Sequence, residues 1–298
     1  MPLSLRSVLP TSFPMASLAA APRCMSDFCH RPPSLWQRWW ARNEGTWLEE
    51  NWYCSSECFE DGLGQRLEQV SASGPRPARQ TKRLPLGLVM LSQAEITAEQ
   101  LRQALSLQRS VGNGRIGEWL VRMGAVTEEQ VINALAAQQG CPVFAPRMVQ
   151  SLPATMHWPQ PLSGDYRAVP VFYSEAQSSL YVGFLETVDH GLLYSVEQML
   201  RCRTEPCIVP ASVYVQNLER PLPPGSSETI AINQRLSSFE VARAVSNYAQ
   251  HVGARRCMMT RCSHHLWVRL ECSTGFHVDF HFRSPEASQV LGACQPLC

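Results

Sequence analysis

Residues 85 to 108, PLGLVMLSQAEITAEQLRQALSLQ, are restated thirty positions later as RIGEWLVRMGAVTEEQVINALAAQ, residues 115 to 138. Seven aligned positions are identical, and five more exchange one aliphatic residue or Met for another. A segment repeated in tandem folds the same way twice, so each copy can supply the apolar partner that the other needs. Two copies are too few for a solenoid. Within each copy a short apolar stretch (LGLVML, IGEWLVRM) runs into a break, marked in the second copy by Gly124. Ile96 or Val126 follows, and then Thr97-x-x-Gln100 or Thr127-x-x-Gln130. That spacing predicts a capping box, where hydroxyl and amide reciprocally satisfy free N–H groups at a helix start. Leu101 and Leu105, like Val131 and Leu135, stand four apart and share one helix face. Each copy is therefore expected to be a helical hairpin, and the pair a pseudo-symmetric four-helix unit.

The whole chain, 298 residues, is long enough for two or three domains. Residues 141–220 read as an α/β subdomain. YRAVPVFY, LYVGFLE and CIVPA are strand-like, and GLLYSVEQMLRC is an amphipathic helix. After PLPPGSSE, a linker placed at 221–229, residues 230–284 predict a small α+β domain. SSFEVARAVSNYAQHVG gives its helix, capped by Ser237 or Ser238 and ended by Gly253, and RCMMTRC, HLWVRLEC and FHVDFHF give its strands. The expected fold class is thus α+β and multidomain, with a terminal helix plus antiparallel strands. Residues 1–22 read as an unstructured leader, because Pro10 and Pro14 interrupt its apolar part. Residues 70–84 read as a linker, whose Arg76, Arg79, Lys82 and Arg83 are solvated charge, and 285–298 as a tail.

No run of ~18 apolar residues is present to span a bilayer, and the expected location is cytoplasmic. Twelve cysteines then need a use other than disulfides. Cys24-x4-Cys29 and, 24 residues on, Cys54-x3-Cys58 have the spacing of two thiolate knuckles converging on tetrahedral zinc. The stretch around the second pair, WYCSSECFEDG, resembles the second knuckle of zinc-ribbon and treble-clef modules. A zinc-ribbon-like module is therefore expected over 23–69, with Trp36, Trp39, Trp40, Trp47 and Trp52 as apolar mass. His30 could replace one thiolate. So short a segment needs a staple to fold, and a closed four-ligand site is structural rather than catalytic.

The doubled stretch, R-I-G-x-x-L-V-x-x-G-x-V-x-x-x-x-V-x-x-x-L-x-x-Q in its second copy, resembles the N-terminal domain of type II secretion and type IV pilus assembly ATPases. GCPVF at 140–144, YRAVPV at 166–171 and LYVGFLETVD at 180–189 match that domain's continuation, so the likeness spans about residues 84–220. In one branch of the family the paired motifs bind cyclic di-GMP. The resemblance implies binding roles for Arg115, Ile116, Gly117, Val131, Leu135 and Gln138 in copy two, and for Leu86, Gly87, Leu101, Leu105 and Gln108 in copy one. Those residue types suit such a ligand, because a guanidinium grips phosphate, glycine admits close approach, and aliphatics shelve a base. Copy one departs from the pattern with Pro85 in place of Arg and Ala94 in place of Gly. Arg83 stands two residues upstream of the position where that arginine is expected.

The chain holds no G-x-x-x-x-G-K-[ST] phosphate loop. The segment from the terminal helix through Gly253-Ala254 to WVRL (267–270) resembles, weakly, the part that precedes the motor in those ATPases. The resulting expectation is a non-catalytic regulatory protein that senses cyclic di-GMP and docks on secretion or pilus machinery or a signalling partner. Two alternatives stand beside it. One is a zinc-containing protein-interaction scaffold with no nucleotide ligand. The other is a nucleic-acid-binding regulator using the zinc module, its tryptophans and Arg23, Arg31, Arg38 and Arg42, although a formal charge of +1 disfavours it. A metal-hydrolase reading of Cys262, His264, His265, Cys272, His277, Asp279 and His281 is weaker still. Alternation places His277, Asp279 and His281 on one strand face, expected to be wet. Cys202-x4-Cys207 and Cys257-x4-Cys262 could form a further thiolate set, though buried free cysteines are common.

Overall fold

A computed structural model describes residues 22–29, 45–72, 83–144, 152–153, 156–219, 227–234, 236–262 and 265–283. The leader apart from residue 22, the tail, residues 73–82 and 221–226 of the two linkers, His30, Arg31, Trp36, Arg38, Trp39, Trp40, Arg42 and His264 lie outside them. The first described elements are β1 (Thr46–Leu48), β2 (Asn51–Tyr53) and α1 (Ser56–Ala72). The doubled stretch forms α2 (Leu86–Ser92), α3 (Ala98–Val111), α4 (Ile116–Arg122) and α5 (Glu128–Gln139).

Both expected capping boxes form. Thr97 Oγ1 accepts from Gln100 N–H at 3.2 Å while Gln100 Oε1 accepts from Thr97 N–H at 2.8 Å, and Thr127 and Gln130 repeat the exchange. The turns between helices match as well. Ala94 and Gly124 both adopt left-handed backbone, φ 57° and 68°. At each, the following N–H reaches back to a carbonyl five residues earlier, Glu95 to Met90 and Ala125 to Leu120. This is the Schellman ending of a helix. The fully buried Met90, Leu120, Ala104 and Ala134, with Ile96 and Val126, make one small core, in which every residue has its counterpart thirty positions away.

The α/β unit contains α6 (Gln160–Tyr166), β3 (Ala168–Ser174), β4 (Ser179–Phe184), α7 (His190–Leu200), β5 (Arg203–Ile208) and α8 (Ala211–Leu218). β3 pairs antiparallel with β4, and β4 pairs parallel with β5 after a crossover through α7. One face of this three-stranded sheet holds Leu180, Val182 and Phe184 against Leu192 and Val196 of α7. The other holds Val169, Val171 and Cys207 against Val213 of α8. Asp189 caps α7 by accepting from Leu192 N–H at 2.8 Å.

The last unit is β6 (Ser227–Ile232), α9 (Ser238–Val252), β7 (Ala254–Cys262), β8 (His265–Cys272) and β9 (His277–Arg283). Ser237 caps α9 in a box with Glu240, and Gly253 ends it at φ 63°. β7, β8 and β9 pair antiparallel in sequence order. The spacing of the sequence did not reveal what extends them. β1 lies parallel to β7, through Trp47 opposite Arg256 and Leu48 opposite Cys257, so the sheet order is β2-β1-β7-β8-β9-β6. Phe59, Leu63 and Leu67 of α1 pack with Val241, Val245 and Ala249 of α9 over Cys257, Val268, Leu270 and Val278. The segments expected as separate units at 23–69 and 230–284 thus share one sheet and one core.

The opposite face of that sheet corrects the expectation of a wet strand. Asp279 is 0% exposed and His281 2%. They are covered because Trp158, Leu162 and Tyr166 pack on Trp267 and Cys262 of the same face. A buried ion pair settles there: Arg269 Nε and Nη2 donate to the two oxygens of Asp279 at 2.8 and 2.9 Å, and Trp267 Nε1 donates to Oδ1 at 2.7 Å. Arg269 Nη2 also donates to the His157 carbonyl at 3.1 Å, and His157 Nδ1 lies 2.7 Å from Ser227 Oγ. A charge buried this completely is tolerable only when paired and hydrogen-bonded on every side. His281 stacks on Trp267 with centroids 5.6 Å apart, and burial, more than any neighbouring charge, holds its pKa down at about 4.

Candidate functional site

The two hairpins interlock through their terminal glutamines. Gln108 Nε2 donates to the carbonyl of Gly114 at 2.9 Å, and Gln138 Nε2 donates to that of Leu84 at 2.6 Å. Leu84 and Gly114 hold the same place in the two copies, immediately before the motif. Each copy therefore closes onto the start of the other, which is the signature of an approximate dyad. α2 packs on α5, and α3 on α4, in the same relation.

The two motif glycines serve close approach of helices. A β-carbon on Gly117 would lie 2.8 Å from Val131 Cγ1 and 3.4 Å from Leu86 Cδ2, and one on Gly87 would lie 2.5 Å from Leu101 Cδ1. Val131 thus closes on Gly117 within the second copy, as Leu101 does on Gly87 within the first, and Leu86 reaches Gly117 from the other copy. Leu101, Leu105, Val131, Leu135, Leu86 and Ile116 are all half-buried, which leaves each with an accessible apolar edge. Leu135 is shared with the α/β core. Sequence spacing brought these residues to one unit; it did not show that the glutamine amides are spent on backbone carbonyls.

Arg115 stands at the head of α4, with its side chain 55% exposed. Its guanidinium Nη1 pairs with Glu186 Oε2, and Arg167 Nη1 pairs with Glu186 Oε1 at 2.8 Å. Glu186 follows β4, and Arg167 sits between α6 and β3 in left-handed backbone, φ 48°. Burial first, and the neighbouring Arg167 second, lower the pKa of Arg115. Neither partner was singled out from the sequence, since each lies outside the doubled motif. Arg83 is used elsewhere: its Nη1 donates to Gln139 Oε1, which also accepts from Val188 N–H at 3.2 Å.

The second candidate is the cysteine cluster. One sulfur each from Cys24, Cys29, Cys54 and Cys58 lie within 4.8 Å of one another. Cys29 and Cys54 sulfurs are 3.6 Å apart, and those of Cys54 and Cys58 4.0 Å. Four thiolates tetrahedrally bound at Zn–S of about 2.3 Å would be about 3.8 Å from one another, so the set fits zinc. Cys24 and Cys29 bracket a knuckle held by Cys29 N–H to the Ser26 carbonyl and by Met25 N–H to the Trp52 carbonyl. Cys54 follows β2 directly and Cys58 lies in the first turn of α1. Burial and the adjacent thiols raise the pKa of Cys54, as expected of crowded sulfurs whose charge a cation would neutralise. The four residues would hold the metal in a closed shell, where it supplies structure and no chemistry. Among the described residues this is the only such group; Cys202, Cys207, Cys257 and Cys262 are distributed over three separate cores.

No family model matches the sequence. Over 139 residues the chain is 27% identical to the Type IV pilus assembly ATPase PilB of Thermus thermophilus, a match covering 46% of this chain and 16% of that protein. Among solved structures it is similar to MshE with cdg, at 25% identity and a TM-score of 0.38, covering 46% of this chain and 99% of the other. It is similar also to the N-terminal domain of XpsE, at 17% identity and a TM-score of 0.34, covering 45% and 91%. Just under half of the chain is thus similar to a stretch of a pilus assembly ATPase, and it spans about a sixth of that protein's length.

Proposed function

We propose that this chain, similar over its paired hairpins to the N-terminal domain of secretion and pilus ATPases, is a regulatory binding protein that takes up cyclic di-GMP. The proposal extends to a non-catalytic, cytoplasmic protein that couples the ligand to secretion or pilus components or to a signalling partner. The observation that carries it is the reciprocal closure of Gln108 on Gly114 and Gln138 on Leu84, which gives a two-fold protein frame for a two-fold dinucleotide. Arg115 stands at one end of that frame with an exposed guanidinium, and the half-buried aliphatics of α3 and α5 offer apolar edges for a base. Isothermal calorimetry tests this directly. Micromolar heats with cyclic di-GMP, abolished by Arg115→Ala, are expected; no heat from the wild type at high micromolar ligand would refute the sensor.

A second reading has its own observation. Met25 and Phe28, 56% and 69% exposed, project from the knuckle that carries Cys24 and Cys29. Exposed apolar groups on a loop that carries two of the four clustered cysteines suit a protein-interaction scaffold that needs no nucleotide.

A further inference from the structure

Copy one has proline where copy two has Arg115, so the motif alone provides one guanidinium for a ligand with two phosphodiesters. The fold brings a second one from outside the motif. Arg167 of the α/β unit stands beside Arg115, and the two divide the carboxylate of Glu186 between them, one oxygen each. Both arginine side chains are more than half exposed, at 55% and 53%, whereas that of Glu186 is 21% exposed. The carboxylate thus sits inward and the cations outward. A phosphodiester likewise presents two charged, non-bridging oxygens from one centre, at a spacing close to that of a carboxylate. Arginine recognises both anions with the same planar fork.

We infer that Arg115 and Arg167 together form the anion cradle of this protein, and that Glu186 is its internal occupant, displaced when a phosphodiester binds. The inference rests on the cyclic di-GMP reading and adds to it a residue and a regulatory contact outside the paired motif. Two consequences follow for the resting protein. Glu186 keeps two like charges together and so pre-forms the cradle, and it sets a threshold that a weakly charged or monodentate ligand does not pass. The contact also ties the second hairpin to the α/β unit. Ligand entry exchanges that tie for a bond to the ligand, so binding at the hairpins is felt at residues 167 and 186.

Calorimetry with cyclic di-GMP on the full chain, comparing wild type, Glu186→Gln and Arg167→Gln, decides the matter. Gln keeps the stem of each side chain, and circular dichroism checks that each variant is folded. Glu186→Gln removes the competing charge and is expected to tighten binding roughly tenfold; Arg167→Gln removes a charge-assisted grip and is expected to weaken it roughly tenfold. If the wild type binds, Arg115→Ala abolishes binding, and neither Gln variant changes it, the cradle is refuted and the sensor reading stands. If only Glu186→Gln binds, the cradle is supported and Glu186 acts as a full block. If no protein binds, Glu186→Gln included, both readings fall together.

Discussion

Replacing Ala94 by glycine should stabilise the protein, although it inserts a poor helix former next to a helix. Ala94 follows α2 with φ 57°, in the backbone region where a β-carbon crowds the following carbonyl. An L-residue there pays about 1–2 kcal/mol. Glycine avoids that strain and gives back about 0.5–1 kcal/mol through the greater freedom of its unfolded chain. The methyl of Ala94 is exposed and packs in no core, so nothing else is lost. The net gain is on the order of 0.5–1 kcal/mol. Gly124, at φ 68° in the same place of the second copy, supplies the control. A β-carbon added there meets nothing within 4 Å, so Gly124→Ala changes only backbone strain and should cost about as much as Ala94→Gly gains. Urea unfolding of both variants measures the pair. Amide exchange at the Glu95 and Ala125 N–H groups, which close the two turns, localises the effect in a chain of several units. A destabilised Ala94→Gly, or a Gly124→Ala as stable as wild type, would overturn the argument that the two turns are equivalent and strained by the same geometry.

Other outcomes follow from particular contacts. Gly117→Ala sets a methyl 2.8 Å from Val131 Cγ1 and should destabilise the hairpin pair by about 1–3 kcal/mol, with stability by denaturant as the check. Purified protein should carry one zinc, and Cys54→Ser should fall below half an equivalent by elemental analysis while loosening the core that α1 shares with α9. Asp279→Ala strands Arg269 in the interior and should cost about 3–5 kcal/mol; an unchanged melting curve would show the pair to be dispensable. His281 has a folded pKa of about 4 against an ordinary 6.5, so the unfolded chain takes up the proton first. Stability should therefore rise with pH between about 4 and 6.5, by up to ~3 kcal/mol, and His281→Leu should flatten that rise.

Local features were legible in the sequence. Thr97 and Thr127 are the caps where their spacing to Gln100 and Gln130 places them, Ser237 is one of the two serines expected to cap α9, and Gly253 ends that helix. These depend on neighbours three or four residues away, which is the range over which a sequence pattern carries information. The doubled motif reaches further only because its period is fixed. What escaped is long-range pairing. Nothing near Trp47 or Leu48 says that their strand will lie beside Arg256 and Cys257, because a parallel edge imposes no turn and no spacing. Alternation in FHVDFHF located the face of Asp279 correctly, yet its burial depends on Trp158 and Tyr166, which the sequence keeps more than a hundred residues away. The cradle shows the same limit. Arg115 was found by its motif, while Arg167 and Glu186 were brought to it by the α/β fold.

The parallel seating of β1 against β7 joins an early and a late stretch of the described chain in one sheet. Everything from Leu86 to Leu218 is threaded between two stretches that complete each other, so the centre behaves as a guest inserted into a host encoded on either side of it. Excising residues 85–220 would cut no strand pairing of the six-stranded sheet, whereas deleting residues 45–72 would strip the distant β7 edge and bare the flank of α9. During synthesis the early hairpin must wait for the late strands to emerge.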